Sequence, residues 1–462
     1  MSANETTLRR PGGELGPWAG RTIHFVGVGG AGMSAYARVA HELGARVSGS
    51  DRASSPYLER LVQDEVLSPL LGHAAENVPA AQDAEIVYSS AVPAENPERS
   101  EARRRGLRER PRAELLAELS GMRRTIAVAG SHGKTTTASM LAHAMRGAGM
   151  DPGWLVGGLI GDGLENGHWG AGEWLVIEAD ESDRSMLALD VEIALLTNVE
   201  LDHADVFGSL AELRSAFREL LAHAPRAVIW DRPELLALRD GQLVAYDVHE
   251  LELEPRGSRF DWRGHEVRLA VPGAHNALDA AGALEAARLA GASEARAVEA
   301  LAAFRGAGRR FQALGQSEAG SLVFDDYAHH PSEIAATLAA ARLAVPRGGR
   351  LIAVFQPHLF SRTRLLAREL GRALAAADVV VVLDVYPARE RVEDHPGVSG
   401  LIVAHAASEA ALGRPVYWLP SFEIAERALR ERLRAGDLCV VMGAGDVDEL
   451  ARRLVVPGVR AL

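Results

Sequence analysis

The chain has 462 residues, a formal charge of −12 at pH 7 and an ordinary hydrophobic content of 47%. This length predicts roughly two to four domains, each able to bury its own core. The acidic balance argues against nucleic acid or an anionic membrane as partner, no apolar run is long enough to span a bilayer, and the single cysteine, Cys439, excludes an internal disulfide.

Residues 1–20 are polar and rich in Gly and Pro, without the apolar stretch of a secretory signal. With a lone cysteine, a reducing cytoplasm is the expected location. A strand is predicted over Ile23–Val28, then a glycine turn, a helix over Ala31–Leu43 and a strand over Arg46–Asp51. Gly27, Gly29 and Gly32 form a G-x-G-x-x-G after that first strand, with Asp51 about 20 residues on. These glycines place a pyrophosphate at a helix N-terminus. A nicotinamide dinucleotide and a nucleoside-diphosphate sugar satisfy that geometry equally, and a purely structural glycine turn is the plainer alternative. Another strand is predicted over Ala84–Ser90. Glu95–Arg112, dense in Arg and Glu, is expected to be a solvated surface helix and linker.

The next unit carries sharper chemistry. Thr125–Ala129 predicts a buried strand and Thr135–Gly147 a helix; between them lie Gly130, Ser131, His132, Gly133 and Lys134, followed by Thr135 and Thr136. Lys134 is the only lysine among the 50 Lys and Arg residues. A composition biased to arginine explains the others and leaves this one as an exception. A loop whose amides wrap phosphates has room for a compact ammonium on a flexible stem, not for a planar fork. Strand, glycine loop, Lys-Thr and helix describe a P-loop, with Lys134 on nucleotide phosphate and the Thr135 hydroxyl on magnesium. Val128 stands where the full pattern has glycine. Past the apolar strand Trp174–Glu178 come Glu178, Asp180, Glu181 and Asp183, and past Ile193–Thr197 come Asn198, Glu200, Asp202 and His203. Carboxylates at the carboxyl ends of strands beside a P-loop are placed to hold magnesium. A third β/α series follows Gln312, with strands at Leu322–Asp325, Leu351–Phe355, Val379–Leu383 and Leu438–Met442. Cys439 lies in the last of these, so packing rather than reactivity is expected of it.

Taken in order, these motifs resemble the Mur ligases: Gly130–Thr135, Glu178–Asp183 and Asn198–His203, then Gly273–Asn276, Arg309–Gln312, Asp325–Pro331, Gln356–Arg362, Asp384–Pro387 and Gly443–Asp446. The resemblance covers nearly all of the chain after residue 20. It implies an α/β fold of three domains. Residues 1–120 would form a Rossmann-like domain for the UDP-sugar, 121–312 a central P-loop ATPase with a mostly parallel sheet, and 313–462 a Rossmann-like domain for the amino acid. Within the family, Gly27–Ser34 and Asp325–Pro331 most resemble the members that use ATP to join L-alanine to the lactyl carboxylate of UDP-N-acetylmuramate, through an acyl phosphate, in peptidoglycan synthesis. The alternative is a recycling member that attaches a whole tripeptide to the same sugar nucleotide. Members that add later residues resemble one another in a carbamylated lysine on the second magnesium, and no second lysine exists here.

By matched position, the resemblance assigns the loop Gly130–Thr136 to ATP, with Asn276 at the adenine and Arg310 and Asp326 toward the phosphates and ribose. Thr135, Glu178 and His203 would hold Mg²⁺. Gly27, Gly29, Gly30, Ala31, Gly32, Met33 and Ser34 would hold the UDP pyrophosphate, with Asp51 and His73 near the uridine. Tyr327, His329, His358 and Arg362 would line the amino-acid side. Lys134, Glu178, His203, Arg310, His329 and Arg362 form the implied catalytic set. No membrane insertion is implied, and the expected state is a monomer or weak homodimer. Ala274, Asp279, Leu359 and Arg184 depart from the family pattern, leaving Arg362 to recognise the amino-acid carboxylate without the arginine often found where Leu359 stands.

Overall fold

The computed structural model describes residues 16–161, 163–202 and 206–458. The first sheet joins β1 (Thr22–Val26), β2 (Arg46–Asp51), β3 (Pro69–Leu71), β4 (Glu85–Tyr88) and β5 (Arg108–Pro111), all parallel, in the order β3-β2-β1-β4-β5. The chain leaves β1 toward β2 and returns on its other side at β4. The loop after β1 therefore sits at the switch point where open α/β sheets bind ligands. Gly27 in that loop has φ +83, and a Cβ there would stand 3.2 Å from Val92 and 3.3 Å from Ser89, so both conformation and space call for glycine.

The second sheet joins β6 (Arg124–Ala129), β7 (Gly153–Leu155), β8 (Gly167–Trp169), β9 (Trp174–Glu178), β10 (Ile193–Leu196), β11 (Arg226–Trp230) and β12 (Val244–Tyr246). Its order is β12-β11-β10-β6-β9-β7-β8, parallel except for the β7–β8 pair. β6 lies between β9 and β10, so the loop after it is again at a switch point. β6, β9 and β10 are near-continuous apolar runs, as parallel strands covered on both faces require. A third sheet, β13 (His249–Glu254), β14 (Gly257–Trp262) and β15 (His265–Leu269), is antiparallel. The fourth joins β16 (Gln312–Gln316), β17 (Leu322–Asp326), β18 (Leu351–Phe355), β19 (Val379–Val382), β20 (Val416–Trp418) and β21 (Leu438–Met442) in the order β16-β17-β21-β18-β19-β20, with only β16 antiparallel. The architecture is thus α/β, with three mostly parallel sheets anchoring three domains. Cys439 is buried in β21, where burial pushes its thiol up to about 12, in keeping with a packing role.

By its contacts the chain divides into two compact units. The first runs to Asp247 and includes Gly282–Ala300; the second is Val248–Ala281 with Leu301 onward. The first unit contains both of the first two sheets, and one apolar core extends from Phe25 and Leu43 to Leu175, Phe207 and Phe217. The second unit contains the third and fourth sheets.

One sequence expectation is corrected. The surface helix expected in Glu95–Arg112 is present, but the rest of the stretch is not a solvated linker. Pro97–Arg105 is a helix capped by Asn96, whose Oδ1 accepts from the Glu98 amide at 2.9 Å, and Arg108–Pro111 is edge strand β5. Glu98 is fully buried and Arg110 nearly so, the latter donating to Glu85 at 2.9 Å and Glu118 at 2.7 Å. Charge density misleads here because these charges are matched by partners from other elements, which lets them be buried.

Candidate active site

The P-loop is held by the strand beside it. Gly130 has φ +134, and a Cβ there would lie 2.1 Å from Thr197 Oγ1, so the loop can pack on the end of β10 only as glycine. Thr197 Oγ1 donates to His132 O at 2.6 Å; Asn198 Oδ1 accepts from the His132 amide at 2.9 Å while its Nδ2 donates to His132 O at 3.0 Å. Ser131 N donates to Asn198 O, and Ser131 Oγ lies 2.8 Å from Glu200 O. Gly133 caps the helix Lys134–Gly147 in a left-handed conformation. Thr135 and Thr136 lie buried in its first turn. A glycine turn leading into a helix N-terminus is the local geometry that suits an anion.

Lys134 Nζ donates to Gly130 O at 2.7 Å, Ser131 O at 3.2 Å and both oxygens of Glu181 at 2.8 and 3.1 Å. Burial would lower its pKa, but the charges of Glu181 and Asp180 outweigh it, and the ammonium stays charged. Burial, aided by Asp180 and opposed by Lys134, pushes the Glu181 carboxyl up to about 7. Asp180 goes the other way, to about 2: burial works against its charge, but Lys134, Arg112 and the Ser182 hydrogen bonds prevail. Thr135 Oγ1 donates to Glu178 Oε1 at 2.9 Å, and Glu178 Oε2 accepts from Gly157 N at 2.6 Å. A hydroxyl and a carboxylate oxygen converging at a phosphate cradle are hard donors of the kind magnesium takes, so these residues fit that ion. His203 lies outside the described residues.

The glycine loop of the first sheet belongs to the same unit. Asp51 Oδ2 accepts from Gly29 N at 2.8 Å, and Ser55 Oγ donates to Gly29 O at 2.7 Å. Gly30 caps the helix Ala31–Glu42, which carries Gly32, buried Met33 and buried Ser34. Ser34 Oγ donates to Ala31 O at 2.9 Å and accepts from Asn166 Nδ2 at 2.8 Å. Arg112 Nε donates to Asp183 at 2.7 Å and its NH2 to Asp180 at 3.2 Å, while its NH1 approaches the Cβ direction of Gly32. Arg112 and Asn166 thus tie the first glycine loop to the central sheet and its acids. His73 Nδ1 faces Ser50 Oγ at 3.0 Å and Glu98 Oε1 at 3.4 Å.

The second unit contains the remaining candidates, among them Asn276, whose Nδ2 donates to Pro272 O at 2.6 Å. Tyr327 and His329 meet edge to face with centroids 5.5 Å apart, His329 and His358 lie 6.2 Å apart, and His358 stacks on Tyr386 at 5.8 Å. Buried Arg362 reaches His358 Nδ1 at 3.2 Å. Arg310 lies over the Tyr327 ring and 3.8 Å from Glu333. Its neighbours Arg309 (φ +57) and Phe311 (φ +47) are both left-handed, an arrangement of non-glycine residues that costs energy and is characteristic of functional turns. Asp326 accepts from the Phe311 and Ala328 amides, each at 2.7 Å; burial, against Arg310, pushes its carboxyl up to about 6.

Sequence reasoning missed Glu181 as the partner of Lys134, Asn198 as the brace of the P-loop, and Arg112 and Asn166 as bridges. Glu181 and Asn198 stood inside quoted motifs. Arg112 ended a stretch read as linker, and Asn166 stands in a glycine-rich segment that carries no motif.

Three family models match in succession: Mur ligase family, catalytic domain, over residues 22–124; Mur ligase middle domain over 128–287; and Mur ligase, glutamate ligase domain, over 309–445. A UDP-N-acetylmuramate–L-alanine ligase of Rubrobacter xylanophilus is 43% identical over 449 residues, 94% of this chain and 99% of the relative. The protein of the same name from Mycolicibacterium smegmatis is 40% identical, with 94% of each chain covered. Among solved structures, the UDP-N-acetylmuramate–alanine ligase of Thermotoga maritima superposes with a TM-score of 0.79 at 28% identity, covering 94% of this chain and 98% of the other. A murein peptide ligase of Psychrobacter arcticus shares the fold, with a TM-score of 0.71 at 24% identity over 94% of this chain and 98% of its own. With a likeness of this extent running through all three domains, the chain belongs to the Mur ligase family.

Proposed function

We propose that this chain is an ATP-dependent ligase that joins L-alanine to the lactyl carboxylate of UDP-N-acetylmuramate, the first amino-acid addition of peptidoglycan stem-peptide synthesis. The observation that carries the reading is the near-full-length identity of 40–43% to relatives that bear this activity in their names. Two anion-binding glycine loops within one compact unit support it: one suits a UDP pyrophosphate, the other ATP.

A carboxylate is a poor electrophile, so one lactyl oxygen attacks the γ-phosphorus of ATP and ADP leaves. The amine of L-alanine then attacks the carbonyl carbon of the acyl phosphate, loses a proton, and the C–O bond to phosphate breaks. The protein's share is positioning and charge stabilisation. Lys134, charged and already ringed by oxygen acceptors, exchanges Glu181 for phosphate oxygens, and the P-loop amides hold the remaining charge. Asn276, Arg310 and Asp326 serve the nucleotide; Tyr327, His329, His358 and Arg362 receive the amino acid, the Arg362 fork taking its carboxylate. Thr135, Glu178 and His203 would hold magnesium, which would neutralise charge on the phosphates. The domain limits 1–120, 121–312 and 313–462, a cytoplasmic location and a monomer or weak homodimer belong to the same proposal. Among the described residues no helix is long and apolar enough to cross a membrane.

A coupled assay for ADP tests this reading. ADP should form only when UDP-N-acetylmuramate and L-alanine are both present, with the product one alanine heavier. ADP release that is indifferent to the sugar nucleotide would refute it, and a wild type that prefers a tripeptide would make it the recycling enzyme instead.

A further inference from the structure

The first sheet buries a carboxylate that the proposed chemistry does not use. Glu98 is fully buried, and every polar group facing it can donate. Its Oε2 receives Ser50 Oγ–H at 2.6 Å and faces His24 Nε2 at 3.3 Å; its Oε1 receives Asn77 Nδ2 at 2.7 Å and Ala74 N at 3.2 Å and faces His73 Nδ1 at 3.4 Å. Burial alone would raise this carboxyl, but the hydrogen bonds from His24, Ser50 and Asn77 hold it at about 2, so it is ionised and accepts only.

The proton count around His73 then has one solution. The Ser50 hydroxyl owns a single hydrogen, and a 2.6 Å contact with an ionised carboxylate requires that hydrogen between the two oxygens. Ser50 Oγ therefore meets His73 Nδ1 at 3.0 Å as an acceptor. Glu98 Oε1, on the other side, is an acceptor as well. Nδ1 must carry the ring proton, and in the neutral imidazole Nε2 is left as a lone-pair acceptor.

Topology says what that acceptor meets. Asp51, at the carboxyl end of β2, occupies the place where an acidic residue meets the ribose in this sheet type. Asp51 pairs with Leu71 of β3, and Gly72 N donates to Asp51 O at 2.8 Å, so His73 stands two residues beyond that rung. It lies at the end of the next strand outward, and the reading of this sheet as the UDP site puts it beside the uridine. Uracil presents N3–H there as a donor between two carbonyl oxygens; cytosine presents a bare N3 acceptor at the same atom.

We propose that Glu98 is a positioning residue for base specificity: with Ser50 it fixes the Nδ1–H tautomer of His73, so that Nε2 accepts from uracil N3–H and opposes the N3 lone pair of cytosine. The inference rests on the reading of the first sheet as the UDP site and adds the device by which that site selects its base. Two facing acceptors leave a buried group unsatisfied, so UDP should bind roughly 10- to 100-fold more tightly than CDP.

Titration calorimetry with UDP and CDP tests it, using the full-length wild type, Glu98→Gln and His73→Ala. The wild type should prefer UDP by that factor. The preference should fall to within a few-fold in both variants, because Glu98→Gln supplies a donor to the cluster and releases the tautomer. A wild type indifferent to the base, or a folded Glu98→Gln that keeps the full preference, overturns the inference. Should Glu98→Gln fail to fold, the ¹⁵N spectrum of the wild-type imidazoles decides: His73 must show a protonated Nδ1 and a bare Nε2, and the opposite tautomer overturns the assignment. UDP-N-acetylmuramate serves as a separate arm. If it also fails to bind, the UDP site itself is wrong; if it binds while UDP and CDP are equivalent, only the role of Glu98 and His73 is wrong.

Discussion

Replacing Lys134 by arginine keeps the charge and changes only its shape. Nζ is a single point within 3.2 Å of four oxygens, two backbone carbonyls and both carboxylate oxygens of Glu181. A planar guanidinium spreads the same charge over three nitrogens and cannot direct one of them at four converging acceptors without opening the loop. The loop has little freedom to open: Thr197 and Asn198 fasten it at four hydrogen bonds, and there is no room for even a Cβ between Gly130 and Thr197. Loss of a preorganised transition-state donor costs roughly 10²–10³ in kcat, about 2.7–4 kcal/mol. Lys134→Arg should therefore reduce ADP release by at least that factor while the protein stays folded. Lys134→Ala should additionally lower the melting temperature, and more so toward alkaline pH, because Glu181 then has to ionise in a buried site without its partner. Steady-state ADP release and thermal unfolding of both variants measure the two effects. Near-normal turnover by Lys134→Arg would refute the assignment of Lys134 to the phosphates.

Glu178→Gln should raise the magnesium concentration for half-maximal rate by roughly 10–100-fold at fixed ATP, with little change in melting temperature, since Gln keeps the bond from Gly157. Glu181 has a folded pKa of about 7, raised from 4.5, so the folded state favours its protonated form. Its contribution is fully present below about pH 4.5 and is lost as pH rises through about 7; Glu181→Gln should flatten that part of the melting temperature–pH profile, and an unchanged slope would dismiss the cause. Arg362→Ala should lower kcat/KM for L-alanine by roughly 10- to 100-fold, the scale of a charge-assisted hydrogen bond. The same variant should affect a tripeptide far less, its carboxylate lying several bonds further from the amine.

How legible this protein was differs between strands and side chains. β6, β9, β10, β18 and β21 are short apolar runs bounded by loops, and a parallel sheet leaves that trace in any sequence. The β13–β15 sheet was missed because its strands are mostly polar and half exposed, as in the exposed pattern of His249–Glu254. At the site, Lys134 and Thr135 were readable because a P-loop needs its chemistry at fixed spacing, and Thr135 does meet Glu178. Tyr327, His329, His358 and Arg362 were assigned by resemblance alone, and the fold brings them into one cluster. The long-range pairings were not readable. Arg112 meets Asp183 across 71 positions and Asn166 meets Ser34 across 132, and no local pattern encodes such a meeting. The burial of Glu98 is the clearest case: five donors from separated segments turn a residue of a charged stretch into a core group.

The most direct measurement of the central claim is the fate of oxygen. UDP-N-acetylmuramate labelled with ¹⁸O in its lactyl carboxylate is incubated with ATP, magnesium and L-alanine, and the phosphate and ADP are analysed by mass spectrometry. Phosphorylation of that carboxylate predicts one ¹⁸O in each inorganic phosphate released, none in ADP, and one ¹⁸O retained in the new amide carbonyl. Unlabelled phosphate, with both ¹⁸O atoms still in the unligated sugar nucleotide, would contradict the account.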